Sequence, residues 1–119
     1  MKPALRWHRS AGPSLDDVPY AEVEPAVVKA RLARGEEVFL LDVREPDEVT
    51  AWAYPVGVNI PMGQLGERLD EIPRDVTVVV ACHVGGRSAA VAQALSDAGW
   101  HAENLTGGAV AWVAAGEEG

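Results

Sequence analysis

The sequence predicts an α/β fold with a mainly parallel central sheet and helices on both of its faces. Residues 38–43 and 76–81 are short, nearly all-apolar runs, as expected for strands buried on both faces of a parallel sheet. Segments with apolar residues at helical spacing separate such runs along the chain. An alternation of strands and helices is typical of a parallel sheet built from crossover units.

The individual elements follow from periodicity and from residues that start or stop helices. Strands are predicted over residues 38–43, 58–60, 76–81 and 102–105, and helices over residues 25–34, 46–53, 65–72, 88–98 and 109–115. Pro25 suits the first position of a helix, whereas Gly35 and Gly99 are typical of the residue that follows one. Pro73 ends the helical pattern before it, because proline cannot continue a helix.

The length of 119 residues fits one compact domain with a single core. Residues 1–17 mix prolines, a glycine and charges without periodicity, which predicts a flexible or loosely packed N-terminal arm. The domain itself is predicted over residues 18–119. The apolar fraction of 48% with 24% charged residues is ordinary for a globular domain and excludes a disordered chain.

The charge balance and the cysteine count exclude several classes of function. Ten Lys and Arg against eighteen Asp and Glu give a formal charge of -8, which disfavours nucleic acid and anionic membranes as partners. One cysteine excludes an internal disulfide and a multi-cysteine zinc site, so neither a metal nor a cofactor is predicted. Without an apolar stretch that resembles a signal peptide or a membrane span, we expect a cytoplasmic protein.

Cys82 lies where an α/β sheet binds its ligands, between the strand over residues 76–81 and the start of the next helix. Gly85 and Gly86 allow the backbone to bend tightly, so that several N–H groups point into one cup beside the positive end of that helix. Such a cup binds an anion and favours the thiolate of Cys82. Arg87 either adds a cation to the cup or braces its outer wall. The alternative is that Cys82 is a small buried hydrophobe in a plain turn.

Four segments resemble the rhodanese-like domain family in order and in spacing. They are residues 41–46 (Leu-Asp-Val-Arg-Glu-Pro), 59–61 (Asn-Ile-Pro), 82–88 (Cys-His-Val-Gly-Gly-Arg-Ser) and 107–112 (Gly-Gly-Ala-Val-Ala-Trp). The resemblance covers roughly residues 18–115. It implies a sulfurtransferase that moves sulfane sulfur from a small anionic donor such as thiosulfate to cyanide or a thiol, through a cysteine persulfide.

The resemblance also implies roles for individual residues. Cys82 matches the nucleophile, and the loop amides match the cradle that spreads the negative charge of the persulfide. The cradle residues are His83, Val84, Gly85, Gly86, Arg87 and Ser88. Asp42 and Arg44 match a motif at the end of a neighbouring strand, where structural support of the loop is the expected role. His83 is expected at the wall or entrance of the site, because adjacent residues in a tight loop point apart.

One segment departs from the family pattern. Where the family has Gly-His-Ile-Pro-Gly, residues 52–56 are Trp-Ala-Tyr-Pro-Val. The change leaves the predicted fold intact but affects the rim of the pocket. We expect Trp52 and Tyr54 to lie at that rim and to select the sulfur acceptor.

Three alternative functions differ in what the loop would do. A cysteine-based phosphatase or arsenate reductase resembles this site but has five residues between cysteine and arginine, whereas four separate Cys82 from Arg87. A non-catalytic interaction module commonly lacks the cysteine. A sulfur-carrier domain that serves a protein acceptor is compatible with every motif, and the sequence leaves this alternative open.

Overall fold

The computed structural model describes residues 20–116, and the predicted arm over residues 1–17 lies outside this range. The strands are β1 (Ala21–Val23), β2 (Val38–Asp42), β3 (Val58–Asn59), β4 (Thr77–Ala81) and β5 (Ala102–Leu105). The α-helices are α1 (Pro25–Ala33), α2 (Pro46–Ala51), α3 (Gly86–Asp97) and α4 (Gly108–Ala114). All neighbouring strands are parallel in the order β1-β5-β4-β2-β3, which confirms the predicted α/β fold.

The sheet is covered on both faces, so its central strands are apolar on both sides. Val78 and Val80 of β4 contact the core that contains α3, whereas Val79 belongs to the core that contains α1 and α4. Side chains alternate between the two faces of a strand. Cys82 continues this alternation just beyond β4, and its side chain therefore lies on the α3 side.

Two parts of the fold differ from the predicted elements. Residues 65–72 were expected as one helix, but the chain forms two 3-10 helices, Met62–Glu67 and Leu69–Glu71. Gly63 and Gly66 lie in this segment, and glycine weakens a regular α-helix by its backbone entropy. The strand β1 was not predicted, because three residues without an apolar run give no periodic signal.

Candidate active site

The sulfur of Cys82 lies inside a cup of backbone amides. The residue is 0% exposed. Its Sγ accepts hydrogen bonds from the N–H of Gly85 at 3.1 Å and the N–H of Ser88 at 3.4 Å. The hydroxyl of Ser88 lies 3.3 Å from the same sulfur. Two amides of the same loop therefore converge on a single atom. Such an arrangement of N–H groups stabilises an anionic sulfur.

Gly85 makes this loop geometry accessible to the chain. Its φ of +108° lies in the left-handed region that glycine adopts without steric cost. A Cβ at this position would also lie 3.2 Å from the backbone nitrogen of Gly107. The bend at Gly85 lets α3 begin at Gly86, two residues earlier than predicted, and directs the positive end of that helix towards the sulfur.

The carbonyl groups of the loop are held away from the sulfur by other elements. The N–H of Ala109 donates to the carbonyl of Cys82 at 2.9 Å, and the N–H of Val110 donates to the carbonyl of His83 at 3.1 Å. The hydroxyl of Tyr54 also donates to the carbonyl of Cys82, at 2.7 Å. Because these carbonyls face α4, the loop can turn its N–H groups into the cup.

The environment of Cys82 favours the thiolate. Burial raises the pKa of the thiol, but the backbone N–H groups of Ser88, Gly85 and Arg87 donate hydrogen bonds to the sulfur that lower it, and the net pKa lies below the ordinary value. A lowered pKa makes more of the nucleophilic form available. A lowered thiol pKa is typical of nucleophilic cysteines rather than of inert buried ones.

The side chain of Arg87 does not face the sulfur. Its guanidinium forms a bidentate ion pair with the carboxylate of Glu48 on α2, with both N to O distances at 2.8 Å. The pair raises the pKa of Arg87 and, together with the amide of Glu45, lowers the pKa of Glu48 to about 2. Of the two alternatives for Arg87, the structure therefore favours the one in which it braces the outer wall.

Asp42 and Arg44 form a buried ion pair at the carboxyl end of β2. Each is 2% exposed, and the guanidinium of Arg44 donates to both carboxylate oxygens of Asp42, at 3.0 and 2.8 Å. The amide of Asn59 donates to the carbonyls of both residues. The guanidinium also lies 5.2 Å from the ring centre of Tyr54, the residue that binds the carbonyl of Cys82. A chain of contacts thus links this pair to the loop.

A cavity of about 350 Å³ lies beside the loop, between α2 and α4. Its lining is mostly apolar and includes Trp52, Val110 and Val113, with His83 at its edge. The placement of Trp52 and of the exposed His83 agrees with the predicted rim. The expectation that Tyr54 lies at the rim is wrong. This side chain is 5% exposed and lies beneath the loop, where its hydroxyl donates a hydrogen bond to the carbonyl of Cys82.

Several residues of the site were not predicted from the sequence. They are Glu48, which holds Arg87, and Asn104 and Glu22, which extend the hydrogen bonds of Ser88 away from the sulfur. Each is polar and far along the chain from its partner, so no local pattern identifies it. Across residues 20–116, no group of three or more His, Cys, Asp or Glu side chains is arranged to hold a metal ion. In the same range, no helix has the length and apolar character of a membrane span.

Comparisons with known proteins agree with this geometry. A family model for the rhodanese-like domain matches residues 24–115. The putative sulfurtransferase YtwF of Bacillus subtilis is 35% identical over 91 residues, which cover 76% of this chain and 88% of that protein. A sulfurtransferase of Allochromatium vinosum is 36% identical over 93 residues, covering 77% and 87%. The crystal structure of a rhodanese-related protein from Thermoplasma volcanium has a TM-score of 0.75 at 31% identity, covering 82% of this chain and 94% of that one.

Proposed function

The chain belongs to the rhodanese-like domain family, and on this premise we propose that Cys82 carries sulfane sulfur as a persulfide between a small anionic donor and an external acceptor. The family is one of sulfurtransferases. Thiosulfate as donor and cyanide or a thiol as acceptor are our more specific proposal. The observation that carries it is the convergence of the amides of Gly85 and Ser88 on the buried sulfur of Cys82.

In the first half of the proposed reaction, the thiolate of Cys82 attacks the outer sulfur of thiosulfate. A new S–S bond forms, the S–S bond of thiosulfate breaks, and sulfite leaves with the bonding electron pair. The persulfide that remains is anionic, and its outer sulfur lies about 2 Å beyond Sγ. The loop over residues 83–88 is the cradle we propose for this sulfur, because preorganised amides stabilise an anion without reorganising.

In the second half, cyanide or a thiolate attacks the outer sulfur. With cyanide, a carbon–sulfur bond forms, thiocyanate leaves, and the electron pair of the S–S bond returns to Cys82. The chain has one cysteine and so lacks an internal thiol that could resolve the persulfide. The acceptor must therefore come from outside, and a free thiol at Cys82 fits the reducing cytoplasmic setting that we propose.

The cavity beside the loop is where we propose that a thiol acceptor approaches. Pockets of this size, mostly apolar with a few polar groups, are typical of small-molecule sites. Trp52 lines the cavity, so it remains our candidate for the residue that selects the acceptor. Tyr54 is buried and is no longer proposed for this role. Asp42 and Arg44 are proposed as structural support for the loop, acting through Tyr54.

A sulfur-carrier role for a protein acceptor is the second candidate. Val84, Val110 and Val113 are 63%, 52% and 47% exposed near the loop, and exposed apolar side chains around a site favour contact with another protein. Phosphatase chemistry has less support, because the cation that would bind a phosphate, Arg87, is paired outward with Glu48.

The test of the proposed function is the intact mass of the protein after incubation with thiosulfate. We expect a gain of about 32 Da, the mass of one sulfur atom, because the cup stabilises the persulfide. Cyanide should then remove this mass and release thiocyanate. Cys82→Ser is the matched control, since the hydroxyl replaces the nucleophile at the same position.

Two results would overturn this proposal. One is an equal mass gain in Cys82→Ser, which would place the sulfur elsewhere. The other is the absence of any gain in the wild type with thiosulfate and with alternative sulfane donors such as polysulfide. Hydrolysis of aryl phosphates faster than sulfur transfer would favour the phosphatase alternative.

A further inference from the structure

The hydroxyl of Ser88 has one proton and three acceptors around it. Its Oγ lies 2.5 Å from Oδ1 of Asn104, 3.3 Å from the carbonyl oxygen of Gly85 and 3.3 Å from Sγ of Cys82. Ser88 is 0% exposed, so water does not compete for these positions. The direction of this single proton decides whether Ser88 donates to the sulfur or accepts from it.

The orientation of the Asn104 amide fixes the direction of that proton. Its Nδ2 lies 3.1 Å from both carboxylate oxygens of Glu22 and 3.4 Å from the carbonyl oxygen of Gly85. A flipped amide would place Oδ1 against these three acceptors, which is unfavourable because none of them can donate. Thr106 holds Glu22 in place with a hydrogen bond of 2.8 Å from its hydroxyl. Oδ1 of Asn104 therefore faces Ser88 and takes its proton.

A Ser88 hydroxyl that donates to Asn104 presents a lone pair to Cys82. A lone pair accepts a hydrogen bond from the S–H of a thiol but does not stabilise a thiolate. Ser88 thus acts on the sulfur in two opposite ways. Its backbone N–H donates to the sulfur and favours the anion, whereas its hydroxyl favours the protonated form.

We propose that Glu22 and Asn104 are positioning residues that hold the Ser88 hydroxyl proton away from Cys82 and thereby set the acidity of the thiol. The inference rests on the proposed function for its purpose, because a less acidic thiol forms a more nucleophilic thiolate. The hydrogen bonds from which we infer it do not depend on the proposed function. Glu22 lies on the edge strand β1, outside residues 24–115 that match the family model.

Other titratable groups surround the loop from α2, β2, the segment after α2 and the loop itself. They are Glu48, Asp42, Arg44, Tyr54, His83 and Arg87. The variants below leave all six unchanged, so their electrostatic effect on the sulfur is the same in every comparison. Burial raises the pKa of Tyr54, so phenolate formation does not overlap the titration of the thiol.

The experiment measures the thiolate absorbance of the reduced protein as a function of pH. Since the chain has one cysteine, the titration reports Cys82 alone once the Cys82→Ser signal is subtracted. In Glu22→Gln, the side chain can donate to Asn104, the amide can flip, and Ser88 becomes free to donate to the sulfur. We expect about a tenfold larger thiolate fraction at pH values below the midpoint, the size of one hydrogen bond to a charged group.

Two controls separate the hydrogen bonds from plain electrostatics. Glu24→Gln removes the same charge from an exposed position two residues away and should leave the titration close to that of the wild type. Glu22→Gln in a Ser88→Ala background should have no further effect, because the hydroxyl that transmits the change is missing. Ser88→Ala alone should leave the midpoint unchanged or lower.

Three outcomes would overturn the inference. They are a titration of Glu22→Gln that matches Glu24→Gln, an undiminished effect of Glu22→Gln in the Ser88→Ala background, and a higher midpoint in Ser88→Ala. Urea denaturation checks that each variant is folded. If Ser88→Ala does not fold, the comparison of Glu22→Gln with Glu24→Gln still tests the inference. Since no sulfur donor is used, these results stand apart from the thiosulfate test of the proposed function.

Discussion

The loop that carries Cys82 is held from two sides by different kinds of interaction. On the β2 and α2 side, the anchors are ion pairs, Asp42 with Arg44 and Arg87 with Glu48. On the α4 and β5 side, the loop is held by neutral hydrogen bonds from the amides of residues 109 and 110 and from uncharged side chains. The charged groups shape the wall, while the groups that touch the sulfur are neutral.

This difference suggests how the site balances stability against reactivity. A cation in contact with the sulfur would favour the thiolate strongly but would also reduce its nucleophilicity, which falls as the pKa falls. Amides stabilise the anion more mildly. The ion pairs can therefore contribute stability without acting directly on the sulfur.

The largest effect is expected from Asp42→Asn. This substitution leaves the guanidinium of Arg44 buried and without its charged partner, and breaking a buried ion pair costs about 3–5 kcal/mol. The free energy of unfolding from urea denaturation measures the change. Glu36→Gln is the control, because Glu36 pairs with Arg34 at the surface and such pairs contribute about 0–1 kcal/mol. Similar losses in the two variants would contradict the assigned importance of the buried pair.

Gly108→Ala tests the neutral side. A Cβ at residue 108 would lie 2.6 Å from the carbonyl carbon and oxygen of His83, and the φ of +59° is unfavourable for alanine. We expect a loss of about 2–3 kcal/mol in stability and slow sulfur loading, because the loop must move away from α4. Gly63→Ala has open space around its Cβ and serves as the control. Unchanged loading in Gly108→Ala would show that contact with α4 does not shape the cup.

Some features of the fold and of the loop are encoded locally in the sequence. The strands over residues 38–42 and 77–81 were predictable because burial on both faces makes them apolar throughout. The cysteine and the two glycines of the loop lie within one short segment, residues 82–86, so the cup was also predictable. The orientation of Arg87 depends on Glu48, 39 positions away, and therefore stayed open until the structure placed the two side by side.

The parts that sequence could not supply are long-range polar contacts. Tyr54 reaches the carbonyl of Cys82 across 28 positions, and its aromatic ring gave no sign of whether it would lie at the rim or beneath the loop. Asn104 and Glu22 are 82 positions apart and meet only because β5 pairs with β1. No periodicity or spacing encodes such a pairing when the edge strand has three residues.

Tyr54→Phe should have a smaller effect than Gly108→Ala. The carbonyl of Cys82 loses one of its two donors but keeps the N–H of Ala109, so the expected loss of stability is about 1 kcal/mol. Loading with thiosulfate, followed by intact mass over time, should slow modestly. Tyr20→Phe is the control, since Tyr20 lines a separate cavity with Trp100 and His101. An equal slowing in both variants would remove Tyr54 from the support of the loop.

The smallest effect concerns pH. The ion pair with Arg87 and the amide of Glu45 lower the pKa of Glu48 from 4.5 to about 2. A lowered pKa in the folded state contributes stability above the unfolded value of the group, and this contribution is lost as the pH falls from 4.5 towards 2. Urea midpoints across this range should decline less steeply in Glu48→Gln than in the wild type. Parallel curves would contradict the assignment.

The central claim is that the shape of the loop, rather than the presence of a cysteine alone, makes Cys82 a sulfur carrier. Inserting one glycine between Gly85 and Gly86 keeps every side chain but separates the two amides that converge on the sulfur. The same insertion after Gly63, which has open space around it, is the control. After incubation with thiosulfate, the intact mass of the control should rise by about 32 Da, the mass of one sulfur atom, whereas the loop variant should gain little. Equal gains in two folded variants would contradict the account.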